Sequence, residues 1–330
     1  MGGLPIQYLS EIYGFSSEKP NLLRVLTYHR IGHPDETPHL EPRQISASTE
    51  TFAAQMAFLR QNYRVLSMPE VLEHIENGRQ LPDRSVLITF DDACLDVKSN
   101  AHPVLKKLNL TATVFVPTAY PGHPERAFWW DDLYRAVVLT DRRSYPNSPI
   151  GSLSLDSLEN RLQHLKSLQN YVKTLSHDEL LETVLRIAGD LGNKPKAVKT
   201  VLDWDELREL AGEGVLNFGA HTRTHPILTQ ATLSQAHDEI SGSLYDLRRE
   251  IPESLPVFAY PNGNCSPEIL EIMHEEGYKL AFTTEDGINN LNTANPLLLR
   301  RINITRRTSL KLFRLRLQRW FSAVDVYRHQ

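Results

Sequence analysis

SVLITFDD, residues 85–92, is an unbroken apolar and β-branched run that ends in two adjacent carboxylates. A run without polar alternation suits a strand covered on both faces, as in a parallel sheet. Similar runs recur along the chain: RVLTYH (24–29), RVLS (64–67), TATVFV (111–116), GVLNFGA (214–220), PVFAY (256–260), LAFTT (280–284) and RRINI (300–304). Helical punctuation lies between them. Ser266 and Pro267 open EILEIMHEE and Gly277 closes it, while Asp203 and Glu206 form a capping-box pattern at WDELRELAGE. Strand alternating with helix up to eight times predicts an α/β fold, with a (β/α) barrel of 7–8 strands leading.

One segment breaks this rhythm. About 95 residues separate the strand ending near Thr118 from the one starting near Gly214, where a βα loop normally takes ~2–6. FWWDDLYRAV (128–137), a polar stretch DRRSYPNSPIGS and helical patterning from Leu155 to Leu191 fill it. The expected organisation is an N-terminal extension over 1–21 and a barrel over 22–305 with a helical insertion at about 120–200. A basic amphipathic C-terminal helix follows over 306–330.

Composition excludes several classes. Lys and Arg number 36 against 40 Asp and Glu, a formal charge of −4, so bulk charge gives no reason to expect nucleic acid as partner. Two cysteines, Cys94 and Cys265, cannot build a disulfide framework, and no CxxC pair is present. With no signal-like N-terminus and no apolar run near the ~18 residues of a membrane span, a cytoplasmic protein is expected.

The chemistry-bearing residues fall at strand C-terminal ends, where α/β barrels place their sites. Asp91 and Asp92 follow one strand and point in different directions, so they are expected to divide two roles. GAHTRTHP (219–226) follows another strand; His221 and His225 are four apart, and one helical turn would set both imidazoles on one side. FAYPNGN (258–264) runs from a third strand into a Pro-Asn-Gly turn. One carboxylate and two histidines make a plausible three-ligand set for a divalent ion, with the second carboxylate available as a base for water.

The ordered motifs TFDD, HTRTH and FAYPNG resemble those of the polysaccharide deacetylases of the NodB-homology type, carbohydrate esterase family 4. The similarity runs from about Leu22 to Ile304 and takes in YHRIG, TFDDAxxD, FWWDDL and WDELRELAGEGVLNFGAHTRTHPIL. The resemblance implies an irregular (β/α) barrel of seven or eight strands, Asp91 as general base, and Asp92, His221 and His225 as ligands, most often to zinc. It also implies His29 as general acid, the backbone N–H of Asn262 as oxyanion donor beside Tyr260, and an N-acetylated glycan such as an exopolysaccharide as substrate. Two departures stand out. Ala93 occupies a position that is usually Gly, and Ala259 one that is usually an Arg holding the catalytic carboxylate; Arg301, entering the last strand, is the candidate replacement.

Other readings stay open on the sequence. A deacylase or deformylase of a small or lipid-linked amide would use the same fold, and a catalytically silent glycan-binding barrel would fit the two alanines. Trp129 and Trp130, with Phe128, could stack a sugar ring or belong to the core. Cys94 is expected to pack, and Asp96 and His102 to serve a helix face or cap. Residues 300–319 hold eight basic side chains and no acid, and Leu310, Phe313, Leu317, Phe321 and Val324 fall near one helical face. That pattern suits a helix in peripheral contact with a membrane surface or binding an anionic glycan, or a last barrel helix with a solvated basic face.

Overall fold

The computed structural model describes residues 21–192 and 198–319. Seven strands close a parallel ring in chain order: β1 (Leu22–Tyr28), β2 (Ser85–Phe90), β3 (Ala112–Val116), β4 (Leu216–Ala220), β5 (Val257–Ala259), β6 (Leu280–Asp286) and β7 (Leu299–Asn303). β1 pairs with both β2 and β7, which completes the (β/α) barrel. RVLS contributes only a two-residue strand, Arg64–Val65, which pairs beside β2 outside the ring. The ring therefore has seven strands, within the seven or eight expected.

The helices, in chain order, are α1 (Thr49–Asn62), α2 (Met68–Glu76), α3 (His102–Leu108), α4 (Trp129–Val138), α5 (Leu158–Val172), α6 (His177–Asp190), α7 (Trp204–Gly212), α8 (Leu233–Glu250), α9 (Pro267–Glu275) and α10 (Leu310–Arg316). Both caps read from the sequence are present. The Asp203 side chain accepts from Glu206 N–H in a capping box on α7, and Ser266 caps α9 with Pro267 in its first turn.

The strands lack alternation because both of their faces are dry. Leu23, Val25, Leu87, Phe115, Val257, Phe282 and Leu299 fill the barrel interior. Their chain neighbours Leu26, Ile88, Val114, Val116, Phe258, Ala281 and Ile302 bury against the helices. Gly219 sits where a Cβ would come within 2.9 Å of Phe115 and Val257, so a side chain there would collide with the interior packing.

The segment between β3 and β4 folds as α4, α5 and α6, with α5 and α6 both packed on α4. The polar stretch between α4 and α5 is not a plain loop: Ser144–Ser148 and Gly151–Ser154 pair as an antiparallel hairpin. The signal for it, an alternation through SYPNS and GSLS, is weakened by Pro146 and four serines.

At the C-terminus Phe313 and Leu317 are fully buried in the core, and Phe58 of α1 meets Phe313 edge to face. Within the described residues these two side chains of the apolar face pack on the rest of the molecule. Phe321 and Val324 lie outside the described residues, as does the extension over residues 1–20. Among the described residues no helix is long and apolar enough to cross a membrane.

Candidate active site and metal centre

The strand ends converge on a cleft of about 460 Å³. His29 follows β1, Asp91 and Asp92 follow β2, His221 and His225 follow β4, and Tyr260 and Asn262 follow β5; all line it, with Trp129 and Trp130 as one wall. Every residue singled out for the site is thus brought to one place.

Asp92, His221 and His225 form the described cluster able to hold a metal, their ligand atoms lying within 4.8 Å of one another. The Nε2 atoms of His221 and His225 stand 3.5 and 3.4 Å from Asp92 Oδ1. Asp92 Oδ1 is buried and has no hydrogen-bond partner, although such an atom normally has one. His221 Nδ1 lies 2.7 Å from the Ala259 carbonyl. A carbonyl only accepts, so Nδ1 carries a proton and Nε2 is the atom left to ligate. Burial lowers the His221 pKa, but Asp92 and Asp91 raise it above the ordinary value, so an ion that binds here displaces a proton from the carboxylate–imidazole cluster. A buried orphan carboxylate oxygen and a histidine whose Nδ1 is committed to a carbonyl fit a divalent ion.

The backbone that presents these groups corrects the expectation of a helical turn. His221 and His225 share no helix; they sit on a loop in which Thr222 (φ 63°) and His225 (φ 62°) are left-handed. Asp92 (φ 69°) and Ala93 (φ 48°) are left-handed as well. Four non-glycine residues in this region, all at one site, mark strain stored where function is expected. The conformation that made glycine the usual residue at 93 is present here, and Ala93 adopts it while fully buried.

Asp91 and Arg301 explain the other departure. Residues 87, 89 and 91 share one face of β2, and 299 and 301 share one face of β7; both faces line the barrel interior. The Arg301 guanidinium therefore meets Asp91 in the barrel mouth, with Nη1 and Nη2 each 2.8 Å from a carboxylate oxygen. Its Nε donates to the Thr283 carbonyl at 2.8 Å. Ala259 faces the same interior from β5, so the cation arrives from another strand of the ring.

Burial raises both carboxylates, and opposing charges overcome it. Arg301 first, then His221 and His29, bring the Asp91 pKa below its ordinary value. At Asp92 the two histidines bring it well below. Both acids are therefore ionised at neutral pH despite complete burial. Burial lowers the His225 pKa and favours the neutral, ligating imidazole. His29 Nε2 stands 4.0 Å from Asp91 Oδ2 at the half-exposed edge of the cleft.

Tyr260 contributes its ring to the cleft, while its hydroxyl is committed to the Leu297 carbonyl at 3.0 Å. Asn262 is left-handed (φ 57°), and its side-chain oxygen accepts from Lys173 Nζ at 2.7 Å. Trp130 stacks on Phe128, Phe128 stacks on Tyr120, and the Trp130 ring meets His225 edge on with centroids 5.1 Å apart. Trp129 and Trp130 are over nine-tenths buried, so they act first as packing for the metal-site loop and offer the cleft only a margin. Cys94 is buried, and burial raises its thiol well above the ordinary value. Asp96 departs from the helix-cap expectation: its carboxylate accepts from Ile31 N–H at 2.8 Å and faces Arg30, tying the strand after His29 to the loop after Asp92. His102 faces Glu213 at 3.4 Å.

Sequence reasoning missed Glu239. From α8 its Oε2 accepts from the backbone N–H groups of Arg223 and Thr224 at 2.7 and 2.9 Å, pinning the loop between the two histidines. Its only sequence signal is an acid on the helix that follows the HTRTH loop. Glu239→Ala is expected to weaken metal retention about 10–100-fold, as loss of a positioning partner does, in a competition titration against a chelator.

With this geometry established, relatives can be compared. A family model described as polysaccharide deacetylase matches residues 78–140 and 156–281, more than half of the chain. The chain belongs to the polysaccharide deacetylase family. YxkH of Bacillus subtilis (strain 168), which carries the same family name, is 22% identical over 272 residues, covering 82% of this chain and 67% of YxkH. The poly-β-1,6-N-acetyl-D-glucosamine N-deacetylase of Staphylococcus epidermidis is 32% identical over 111 residues. That match spans 31% of this chain and only 38% of the staphylococcal enzyme. In fold, this polysaccharide deacetylase is similar to the Streptococcus pyogenes deacetylase PplD, solved in complex with acetate. The TM-score is 0.60 at 22% identity, over 91% of this chain and all of that one.

Proposed function

We propose that the chain is a metal-dependent hydrolase removing N-acetyl groups from amino sugars of a polysaccharide or glycoconjugate. The observation that carries this reading is the buried, unpartnered Asp92 Oδ1 between His221 and His225, with an ionised Asp91 next in the chain. Family membership and the staphylococcal N-acetylglucosamine deacetylase among its relatives support it.

In this reading Asp92, His221 and His225 hold the ion, with zinc the expected metal because two imidazoles and one carboxylate suit it. When bound, the ion supplies Lewis acidity toward an acetamide carbonyl and makes hydroxide available near neutral pH. Asp91, fixed by Arg301, takes the proton of the attacking water. The Asn262 N–H donates to the developing oxyanion, held in place by its left-handed backbone and the Lys173 contact. His29, across the cleft mouth, protonates the departing amine. No serine or cysteine nucleophile is required, since Cys94 is buried and held as a thiol.

Elemental analysis of the purified chain tests the reading. The wild type should retain about one divalent ion per chain, and the double variant His221→Ala, His225→Ala should lose it. The zinc-reconstituted wild type should release acetate from an N-acetylglucosamine tetramer. No specific retention after reconstitution would overturn the mechanism.

A further inference from the structure

One wall of the cleft comes from α5, and its charge is not balanced. α5 buries Leu165, Leu168 and Val172 against the rest of the molecule. Its other face brings Lys166, Gln169, Asn170 and, at the C-cap, Lys173 to the cleft. Those four positions are spaced i, i+3, i+4, i+7, so they form one stripe along two turns.

The acids lining the cleft already have partners. Glu41 is held bidentately by Arg43, with Nε and Nη2 at 3.0 and 2.8 Å, and also accepts from Gln169. Asp91 is matched by Arg301, and Asp92 is committed with the two histidines to the candidate metal site. Lys166 is exposed to the cleft and has no acidic partner among the described residues. Lys173 Nζ finds only the neutral Asn262 side chain at 2.7 Å and the Trp129 ring at 6.0 Å. Burial, then the Arg43 guanidinium, lowers the Lys173 pKa, and no described carboxylate offsets them. A metal in the Asp92 site would add further positive charge. A neutral N-acetylated glycan leaves this wall uncompensated, although the wall is built to face the substrate.

We propose that Lys166 and Lys173 on α5 form a subsite for a negatively charged group carried by the glycan, a phosphate ester or a sugar carboxylate, beside the sugar that loses its acetyl group. The proposal rests on the deacetylase reading for the identity of the ligand as a glycan. It sets substrate choice: the charged group docks on α5 while the acetamide faces Asp91 and Asp92. Lys173 couples the two, because the same ammonium contacts Asn262.

The test is a pair of measurements on the full, zinc-reconstituted chain carrying Asp91→Asn, so that nothing turns over during binding. Calorimetry compares a neutral N-acetylglucosamine tetramer with the same tetramer bearing a 6-phosphate and with one bearing lactyl carboxylates. Two ammonium contacts, one exposed and one half-buried, should favour at least one charged tetramer by about tenfold at low salt, and the arm that gains identifies the group. Lys166→Ala with Lys173→Ala should bring that ratio to near unity, and Lys166→Glu should reverse it. Equal affinity for all three tetramers, or a preference that survives the lysine variants, would overturn the proposal. Acetate release by the chain without Asp91→Asn is scored separately. Charge preference without turnover would retain the subsite and reject the deacetylase reading, and turnover without charge preference would do the opposite.

Discussion

Asp91→Asn is expected to lower kcat for acetate release by about 10²–10⁴-fold, the usual contribution of a positioned general base, while metal content stays at the wild-type level. The amide is isosteric and cannot take a proton, and Asp92, His221 and His225 are untouched. Glycan affinity measured by calorimetry should change little. A silent glycan-binding barrel would show no turnover to lose, so acetate release by the wild type and its collapse in Asp91→Asn separate the two readings. Retention of more than a tenth of wild-type kcat would remove Asp91 from the role of base.

Arg301→Met should produce the largest loss of stability of any single change at the site. Arg301 is fully buried, and its three described contacts go to Asp91 Oδ1, Asp91 Oδ2 and the Thr283 carbonyl. Removing it leaves Asp91 as an uncompensated buried carboxylate, which costs about 3–5 kcal/mol in denaturant unfolding. The sign of the accompanying pH effect follows from the pairing. Burial raises the Asp91 pKa and Arg301 is the largest influence lowering it, so without Arg301 the carboxyl titrates at higher pH. The acid limb of the kcat/KM profile therefore moves upward in Arg301→Met. Combining it with Asp91→Asn should recover part of the lost stability, because neither member of the ion pair is then left buried and unpaired. Additive losses in the double variant would show that the ion pair is not the source of the effect.

Much of this architecture was legible in the sequence because the signals are local. A continuously apolar run ending in Asp91 and Asp92 announces both a two-face-buried strand and chemistry at its C-terminal end, and the same holds at His221. Capping residues such as Asp203 and Ser266 are equally local. What stayed hidden depends on backbone conformation and on distant pairing. Nothing in HTRTH states that Thr222 and His225 turn left-handed, and four-residue spacing suggests a helix that is absent. Glu239 acts across 16 residues and Arg301 across 210; the first is marked only as one acid among several on the helix after HTRTH, and the second could be named only because Ala259 stood where a cation is usual. RVLS has strand composition, yet Arg64 is exposed and the run extends the sheet beside β2 instead of entering the ring. The stripe of α5 illustrates a further limit. The sequence shows helical patterning there, but that one polar stripe looks onto a cleft is a property of how α5 packs on α4.

The ring closes in chain order, and its last strand carries the cation that holds Asp91. During synthesis from the N-terminus, β1 to β6 can associate as an open curved sheet before residue 299 has been made. In that nascent sheet Asp91 has no Arg301 opposite it, so the site cannot be complete until β7 docks against β1, some 275 residues away in sequence. The barrel's seam is therefore also where the site is completed: a chain lacking β7 would carry Asp92, His221 and His225 and still lack the guanidinium that holds Asp91.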